Sequence, residues 1–545
     1  MNSYSIQGMS CTGCARAIEV ALNALPEVIS VKVSFADSTA QVSTAEQFSS
    51  AQVITAIEAL NYTVQLQDKA ADKALLDKAA DKLKIVIIGS GSAAFACAIK
   101  AAKNAAQVTI VEASDTIGGC CVNVGCVPSK ILIRAAQLAQ QQRNNPFSGL
   151  GNREPLLDRA LLARQQQLRV DELRAAKYQH ILETNPALSL VHGRAHLAPE
   201  GGVIVTDSKG SERHLAADKI LIATGSTPTI PAISGLHQTP YWTSTEALFA
   251  TKLPDHLLVL GSSVVALEIA QAYRRLGSKV TIVARHTLLY SQEPELGMQL
   301  AKCFVSEGID ILHNTQALSI SHDGQQFAMQ TNKQLLHADK LLVSTGRHAN
   351  TEQLNLAALG VVTDSSGAIK VNQQMQTSNN NIYAAGDCAT MAQYVYVAAA
   401  AGSKAALNMT GTEAQLDLSS MPAVIFTDPQ VATVGLTEQR AKELQIKTDS
   451  RCLSLEHVPR ALANFQTEGF VKLVCDAQSG RLLGAQILAE NASEMIQTAV
   501  LAIANKMTVT DLANQLFPYL TMVEGIKLCA QTFTTEVTEL SCCAG

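Results

Sequence analysis

The sequence predicts an α/β protein with two doubly wound parallel sheets, followed by an α+β domain and preceded by a small βαββαβ domain. Two observations predict the sheets. A hydrophobic strand enters a glycine-rich turn and then a helix at "KIVIIGSGSAAFACAIKAAKN", and again at "HLLVLGSSVVALEIAQAYRRLG". A third observation, the alternation of strand-like and amphipathic stretches ahead of residue 68, predicts the small βαββαβ domain. At 545 residues the chain is long enough for several domains.

The composition favours a folded protein in a reducing compartment. Hydrophobic residues make up 47% and charged residues 16% of the chain, which suits a large core. The net charge of -5 gives no indication of nucleic-acid binding. No apolar run approaches the roughly 18 residues of a membrane span, and the N-terminus lacks signal-peptide features. We therefore expect a cytoplasmic protein with no membrane insertion. Six of the thirteen cysteines lie in close pairs, which favours redox or metal chemistry: Cys11 and Cys14, Cys121 and Cys126, Cys542 and Cys543.

Residues 1–68 predict a ferredoxin-like metal-binding domain. The strands are "SYSIQ", "VISVKVSF", "TAQVS" and "YTVQL", and the helices are "TGCARAIEVALNAL" and "SSAQVITAIEAL". Cys11 and Cys14 flank the first helix N-terminus, which favours thiolates. Two thiolates without further nearby ligands suit Cu(I) or Hg(II) better than four-coordinate zinc. The loop "GMSCTGCA" resembles that of heavy-metal-associated domains. A thioredoxin-like CxxC is the weaker alternative, because the element order and Met9 argue against it.

Residues 69–83 are rich in Ala, Lys and Asp and contain no Gly or Pro. This composition predicts a semi-rigid or partly helical tether between the metal-binding domain and the rest of the chain.

The first glycine-rich turn predicts an FAD site. Its pattern is Gly89-x-Gly91-x-x-Ala94, and Glu112 ends the next strand. Gly89 makes the turn, Gly91 admits the pyrophosphate at the helix N-terminus, and Glu112 is positioned for ribose hydroxyls. With strands on both sides and the acid at this distance, the pattern is much more specific than glycines alone.

The second copy predicts an NADPH site. Gly261 and Ser263 align with the first two glycines of the first copy, and Ala284 stands where that copy has its acid. Without that carboxylate a 2′-phosphate is no longer repelled, and the neighbouring Arg285 is available to bind it. Ser263 departs from the usual glycine. The alternative for Arg285 is an ordinary solvated charge.

Three further stretches, "ILIATGSTPTIP", "LLVSTGRHAN" and "IYAAGDCA", resemble the two-dinucleotide-binding flavoprotein family. The resemblance implies an FAD domain over 84–225 and 351–420, interrupted by an NADPH domain over 226–350. It also implies a homodimer formed through an α+β interface domain over 421–545. The implied FAD contacts include the ribityl-binding Asp387, and the remaining implied contacts are Gly119, Thr224, Gly225 and Gly386 for FAD and Gly346 for NADPH.

The stretch "GGCCVNVGCVPSK" resembles the redox centre of flavin disulfide reductases. Cys121 and Cys126, on one helical face, are expected to bridge as a disulfide and reopen as a dithiol. The resemblance implies that Cys126 is the thiolate against the flavin and Cys121 the interchange thiol. It further implies that Lys130 and Glu268 form an ion pair beside the flavin, with Lys130 also contacting FAD. Cys120 departs from the family pattern and is interpreted as a packing residue or an auxiliary metal ligand.

The segment "LFPYLTMVEG" indicates what is reduced. Glutathione- and lipoamide-type reductases carry His-Pro-x-x-x-Glu here, and this chain has Phe517 and Met522 at the two acid–base positions. Without a group to protonate the leaving thiolate, an organic disulfide is a poor substrate.

The same segment resembles mercuric reductases, as do "SCCAG", "TPYWTSTEAL" and the redox stretch, and the resemblance covers essentially the whole chain. It implies NADPH-dependent reduction of Hg(II) to Hg(0) through FAD. Hg(II)–thiol complexes would reach the partner subunit's Cys542 and Cys543 and pass by ligand exchange to Cys121 and Cys126. The active sites would then be shared between the two subunits. A thiol-bearing mercury transporter or carrier is an implied partner. Tyr241 and Tyr519 match pocket tyrosines of that family, with ordinary packing as the alternative.

Two other functions stay open at this point. One is a thioredoxin-reductase-like enzyme whose tail thiols reduce a protein disulfide, which the metal-binding domain and the missing acid–base dyad disfavour. The other is a Cu(I)-handling protein, which has no need of NADPH.

Overall fold

The computed structural model describes residues 2–9, 12–35, 38–44, 49–60, 62–67 and 82–540. The chain divides into two compact units, Met1–Leu83 and Lys84–Gly545, and each is described by itself. Most of the expected tether lies outside the described residues. Along the described residues, no helix combines the length and the hydrophobicity that crossing a bilayer requires.

The first unit has the predicted ferredoxin-like order. Its elements are β1 (Asn2–Gln7), α1 (Thr12–Asn23), β2 (Val28–Ser34), β3 (Thr39–Thr44), α2 (Ser50–Glu58) and β4 (Thr63–Gln67). The four strands form one antiparallel sheet in the order β2-β3-β1-β4. Ile18 and Leu22 of α1 and Val53 and Ile57 of α2 are fully buried against that sheet. Their spacing of four is what places two apolar side chains of each helix on one face.

The second unit begins with a parallel sheet that carries the first glycine-rich turn. The elements up to residue 228 are β5 (Lys84–Ile88), α3 (Ser92–Lys103), β6 (Gln107–Glu112), α4 (Gly119–Asn123), α5 (Cys126–Arg143), α6 (Arg159–Arg174), a π-helical turn (Ala175–Gln179), α7 (His180–Thr184), β7 (Leu188–His192), β8 (Arg194–Leu197), β9 (Val203–Thr206), β10 (Glu212–Leu215), β11 (Lys219–Ile222) and β12 (Ser226–Pro228).

A second parallel sheet carries the second glycine-rich turn. The elements from residue 236 to 349 are a 3₁₀ turn (Leu236–Gln238), α8 (Ser244–Phe249), β13 (His256–Leu260), α9 (Val264–Leu276), β14 (Lys279–Val283), α10 (Pro294–Ser306), β15 (Ile309–Leu312), β16 (Ala317–His322), β17 (Phe327–Thr331), β18 (Leu335–Ala338), β19 (Lys340–Val343) and β20 (Arg347–Ala349). Its strand order is β15-β14-β13-β19.

The chain then returns to the first sheet. A 3₁₀ turn (Leu356–Leu359), β21 (Ile382–Ala384) and α11 (Val395–Met409) follow, and β21 joins the order β21-β11-β5-β6-β7. Helix α11 packs very closely on α3, because a Cβ on Gly402 would lie 2.1 Å from the carbonyl oxygen of Ala93. The first dinucleotide fold is therefore interrupted by the second and completed after it.

The last part is an α+β domain. Its elements are β22 (Pro422–Ile425), β23 (Gln430–Gly435), α12 (Glu438–Glu443), β24 (Thr448–Ser454), a 3₁₀ turn (Leu455–His457), α13 (Pro459–Asn464), β25 (Phe470–Asp476), β26 (Leu482–Ala489), α14 (Ala492–Ala504), α15 (Val509–Asn514), α16 (Glu524–Gln531) and a 3₁₀ turn (Val537–Glu539). The antiparallel sheet has the order β22-β23-β26-β25-β24. The predicted fold class is confirmed in each of its parts.

Candidate active site

The two cysteines of the expected redox pair lie on consecutive helices, Cys121 in α4 and Cys126 at the start of α5. The expectation of one continuous helical face was wrong, because the helix breaks at Val124 and Gly125. A Cβ on Gly125 would lie 3.0 Å from the carbonyl oxygen of Cys120 and 3.2 Å from its Sγ. The glycine therefore permits a tight turn that folds the second thiol back towards the first.

The two thiols of the redox pair differ in acidity. Both cysteines are free thiols, and the Cys121 thiol donates a hydrogen bond to Cys126. This hydrogen bond and the charge of Lys130 outweigh burial and lower the pKa of Cys126 from 9.0 to about 7. The same hydrogen bond, together with burial, raises the pKa of Cys121. The geometry thus agrees with a Cys126 thiolate and a Cys121 interchange thiol, whose catalytic roles stay predictions.

A half-buried ion pair adjoins Cys126. Lys130 Nζ, on α5, lies 2.8 Å from Oε2 of Glu268 on α9, although the residues are 138 positions apart. Glu268 is 5% exposed, and its Oε1 accepts a hydrogen bond of 2.9 Å from the backbone N–H of Phe426. The Phe426 ring centroid is 4.4 Å from Lys130 Nζ, a cation–π distance. Phe426 was missed in the sequence, because its contacts are long-range.

The first glycine-rich turn forms a phosphate cradle that has no room for side chains at its glycines. A Cβ on Gly89, at φ +103, would lie 2.4 Å from the carbonyl oxygen of Ala223, and one on Gly119, at φ +66, would lie 2.6 Å from Cα of Gly91. Backbone N–H groups at the start of α3 are therefore open to close approach by a phosphate. Ala94 is fully buried in the first turn of α3, where a small residue lets the helix pack on the sheet.

The carboxylate of Glu112 is held at the end of β6. Its Oε2 accepts a hydrogen bond of 2.6 Å from Ser90 Oγ, and its Oε1 accepts one of 2.9 Å from the backbone N–H of Ser114. Together with the glycine cradle, this donor and acceptor set fits FAD, with Glu112 placed to accept from ribose hydroxyls.

A polar cluster surrounds Asp387, the residue expected to bind the ribityl chain. Ser226 Oγ donates a 2.8 Å hydrogen bond to Asp387 Oδ2, and Arg347 Nε donates one of 2.8 Å to Ser226 Oγ. Arg347 Nε also lies 4.0 Å from Asp387 Oδ2. Ser226 and Arg347 were missed in the sequence. Each directly follows a "TG" pair, and the strands that they begin, β12 and β20, pair with each other. Aligning the two repeats was the signal that would have found them.

The three other residues expected to contact FAD shape the turns around Asp387. Thr224 donates from Oγ1 to the carbonyl oxygen of Asn350 at 2.8 Å, which ties the first "TG" turn to the end of the second. Gly225 and Gly386 have φ of +69 and +87, a conformation that favours glycine.

Cys120 faces the guanidinium of Arg347. Arg347 Nη2 lies 3.9 Å from Cys120 Sγ. Loss of hydration beside the neighbouring protein atoms raises the pKa of the Cys120 thiol, and the Arg347 guanidinium only partly opposes this. Within the described residues no group of three or more His, Cys, Asp or Glu is arranged to hold a metal ion. Cys120 therefore does not complete such a group with the redox pair in this structure.

The second glycine-rich turn repeats the first with one change. A Cβ on Gly261, at φ +115, would lie 2.3 Å from the carbonyl oxygen of Ser344. Ser263 caps α9, since its Oγ accepts from the backbone N–H of Ala266 at 3.2 Å and lies 2.9 Å from Ser344 Oγ. The serine thus replaces a glycine with a good N-cap residue. Gly346, at φ +127, makes the turn after β19.

The end of β14 is suited to a 2′-phosphate. Ala284 is fully buried and brings no charge, whereas Arg285 is exposed. We find no hydrogen bond or ion pair between Arg285 and any other residue that the structure describes. An uncharged residue at the position where NAD-binding folds carry an acid, followed directly by a cation with no partner among the described residues, fits NADPH.

The remaining expected residues are spread over three places. Tyr241 is partly buried and packs on the core around β13 and β17, and Tyr519 is 51% exposed. Phe517 and Met522 pack into the core of the C-terminal domain. Cys14 lies in the first turn of α1. Cys11, Cys542 and Cys543 lie outside the described residues.

Tyr178 was also missed. It lies in the π-helical turn, its ring packs edge-on against Phe95 at 4.8 Å, and its hydroxyl is hydrogen-bonded to Ser92. Burial raises the pKa of Tyr178, and the neighbouring redox cysteines raise it further. A single tyrosine in a charged helix gave no sequence signal.

The chain matches three family models: "Pyridine nucleotide-disulphide oxidoreductase" over residues 83–402, its dimerisation domain over 421–530, and "Heavy-metal-associated domain" over 3–63. It is 61% identical to a mercuric reductase of Shewanella putrefaciens, over 99% of each chain. It is 51% identical to one of Shigella flexneri, over 100% of each.

Among solved structures, LpdA of Mycobacterium tuberculosis is similar with a TM-score of 0.76 and 27% identity, over 83% of this chain and 100% of that one. The HOCl-induced flavoprotein disulfide reductase RclA of Escherichia coli is similar with a TM-score of 0.74 and 27% identity, over 82% and 99%.

Proposed function

The chain belongs to the mercuric reductases of the pyridine nucleotide-disulphide oxidoreductase family, and from this we propose that it reduces thiolate-bound Hg(II) to Hg(0) with NADPH. The balanced reaction converts NADPH, one proton and a bis-thiolate Hg(SR)₂ into NADP⁺, Hg(0) and two thiols RSH. Membership of the family implies FAD and a nicotinamide nucleotide as cofactors. The choice of NADPH rests on buried, uncharged Ala284 and on exposed Arg285.

The observation that carries the proposal is the pair of free thiols, in which Cys121 donates a hydrogen bond to Cys126 beside the Lys130 cation. A soft thiolate is a strong ligand for a soft metal ion, and the hydrogen bond from Cys121 lowers the Cys126 pKa to about 7. Cys126 can therefore form an Hg–S bond near neutral pH while the bond between the metal and one of its carrier thiolates breaks. Cys121 then supplies the second ligand, and its proton leaves with the displaced thiolate.

The Lys130–Glu268 ion pair supports the negative charge of the Cys126 thiolate. The Lys130 cation stabilises the Cys126 thiolate, and Glu268 keeps Lys130 in place through the 2.8 Å ion pair. When bound, FAD would supply the two-electron carrier between the nicotinamide and the sulfur site. The first glycine cradle, Glu112 and Asp387 are the residues that would hold it.

The loss of the acid–base dyad supports a metal substrate over a disulfide. Phe517 is partly buried and Met522 is 5% exposed, both within the core of the C-terminal domain. Neither side chain can deliver a proton to a leaving thiolate. The thioredoxin-reductase-like function is accordingly not favoured, and a Cu(I)-handling protein would have no need of the second dinucleotide fold.

The matched dimerisation domain indicates a homodimer. We propose that the active sites are shared, with Tyr519 of one subunit reaching the redox pair of the other. Leu516, Tyr519 and Leu520 are 95%, 51% and 40% exposed in the single chain, which supports a partner-facing segment. The partner subunit's Cys542 and Cys543 would take Hg(II) first.

The N-terminal domain would collect the metal through Cys11 and Cys14, from a thiol-bearing carrier or transporter. Tethering this domain to the enzyme would raise the effective concentration of Hg(II) at the tail thiols. A reducing cytoplasm, where small thiols keep Hg(II) in solution, is the compartment that suits this chemistry.

The test compares NADPH oxidation by the purified enzyme with Hg(II) in excess small thiol, oxidised glutathione, oxidised thioredoxin and Cu(II). We expect turnover and volatile mercury with Hg(II) and little NADPH oxidation with either disulfide. Turnover with a disulfide but none with Hg(II) would overturn the proposal.

A further inference from the structure

Helix α9 presents three buried polar side chains to one short segment of the C-terminal domain. Glu268, Gln271 and Arg275 are spaced i, i+3 and i+7, so they lie on one helix face, and they are only 5%, 3% and 6% exposed. All three contact the segment 426–428, which follows β22. Burying three polar side chains on one face is costly unless each finds a specific partner.

Gln271 and Arg275 hold Asp428. The Gln271 amide accepts from the backbone N–H of Asp428 at 2.8 Å and donates to its carbonyl oxygen at 2.7 Å, so it pairs with both backbone groups at once. Arg275 Nη1 donates to Asp428 Oδ2 at 2.7 Å, and the other two guanidinium nitrogens donate to Glu307 at 2.9 and 2.5 Å. Gln271 Nε2 also donates to Glu307 at 2.9 Å.

The other end of the same segment holds the ion pair beside the redox cysteines. Phe426 donates its backbone N–H to Glu268 and places its ring 4.4 Å from Lys130 Nζ. Between α5, α9 and the segment there is a cavity of about 10 Å³, room for one water molecule at most. These side chains therefore hold one another and leave no space for a ligand.

We propose that Gln271 and Arg275 are positioning residues for the Lys130–Glu268 ion pair. They fix Asp428, and through it Phe426, so that Glu268 keeps Lys130 at the redox site. The Lys130 side chain is 37% exposed and has several rotatable bonds, so it would otherwise turn towards solvent. This positioning of the ion pair does not depend on which substrate the enzyme reduces.

The test measures how fast the Lys130 amine is acylated in the FAD-loaded enzyme, by mass spectrometry of the peptide that contains it. Gln271→Met keeps the volume of the side chain but removes its hydrogen bonds to Asp428. We expect Lys130 to react at least threefold faster in this variant, because the weakened ion pair leaves more of the amine free. Gln166→Met is the matched control, since Gln166 is fully buried with one hydrogen bond, to Leu248. Its Lys130 should react at the wild-type rate.

A double-mutant cycle separates positioning from general destabilisation. In a Glu268→Gln background the ion pair is already lost, so adding Gln271→Met should accelerate acylation no further. Arg275→Lys is a second variant. It keeps a positive charge for Asp428 but loses the paired hydrogen bonds to Glu307, so Lys130 acylation should accelerate less than in Gln271→Met. An unchanged Lys130 rate in Gln271→Met, or the same acceleration with and without Glu268, would overturn the proposal.

Discussion

Replacing Cys121 with alanine should raise the pKa of Cys126. The hydrogen bond from Cys121 is the largest of the effects that bring this pKa from 9.0 to about 7, and burial works against it. A hydrogen bond to a charged group contributes about 1.5–3 kcal/mol, and one pKa unit corresponds to about 1.4 kcal/mol. We therefore expect the pKa of Cys126 to rise by about 1–2 units.

The sign of the pH dependence follows from the direction of the shift. Because the pKa of Cys126 is lowered, the wild-type thiolate predominates above about pH 7 and is lost as the pH falls through that value. In Cys121→Ala the same loss should occur about 1–2 pH units higher, since the donor is gone. At pH 7 the thiolate should fall from about half of the molecules to about a tenth or less.

The assay is a pH titration of the long-wavelength thiolate-to-flavin absorbance. It is read in the two-electron-reduced wild-type enzyme and directly in the variants, which cannot form the disulfide. Cys121→Ser is the matched control, because its hydroxyl still donates a hydrogen bond, so its titration should stay near that of the wild type. If the alanine and serine variants titrate together, or if the alanine variant titrates at the wild-type pH, the hydrogen bond does not set the thiolate.

Three further predictions concern the cradles and the tail. Gly119→Ala should cut the FAD content of the purified protein at least about tenfold, because its Cβ would lie 2.6 Å from Gly91 Cα. Gly149→Ala, whose Cβ meets nothing within 4 Å, should keep its flavin, and equal flavin loss in both would contradict the cradle. Arg285→Glu should raise the KM for NADPH about tenfold or more and leave that for NADH nearly unchanged; parallel changes for both would refute a phosphate contact. Cys542→Ala combined with Cys543→Ala should slow turnover of bulky thiol–Hg(II) complexes about tenfold or more without slowing flavin reduction by NADPH, and unchanged turnover would argue against the relay.

The local part of the fold could be predicted from the sequence. Both glycine-rich turns and the βαββαβ order of the first unit follow from short patterns or from the internal repeat, whereas the return of the chain to its first sheet was expected only through the family resemblance. Those patterns record backbone requirements, such as the positive φ of Gly89 and Gly261, which few other residues meet. The break at Gly125 escaped prediction because it depends on how Cys120 fills the space beside it, and periodicity does not report on packing.

The long-range part of the site could not be predicted from the same patterns. The proximity of Lys130 to Glu268 was expected only through a family resemblance, and no spacing in the sequence links Glu268 to Phe426. Ser226 and Arg347 were recoverable in principle, since they occupy matching positions of the two repeats. Gln271 was not, because a buried glutamine on a helix has no pattern until the backbone it binds is known.

The same geometry gives a reason why a metal substrate tolerates the loss of the acid–base dyad. When a thiolate attacks a disulfide, the departing sulfur must accept charge as its bond breaks, and a nearby acid accelerates that step. When a thiolate attacks a thiolate-bound metal ion, the metal keeps its charge balance by exchanging one thiolate for another. A site of this kind needs an attacking thiolate available near neutral pH, which the Cys121 hydrogen bond and Lys130 provide at Cys126. Apolar Phe517 and Met522 then add to the core of the C-terminal domain at positions where a disulfide reductase must keep a histidine and a carboxylate.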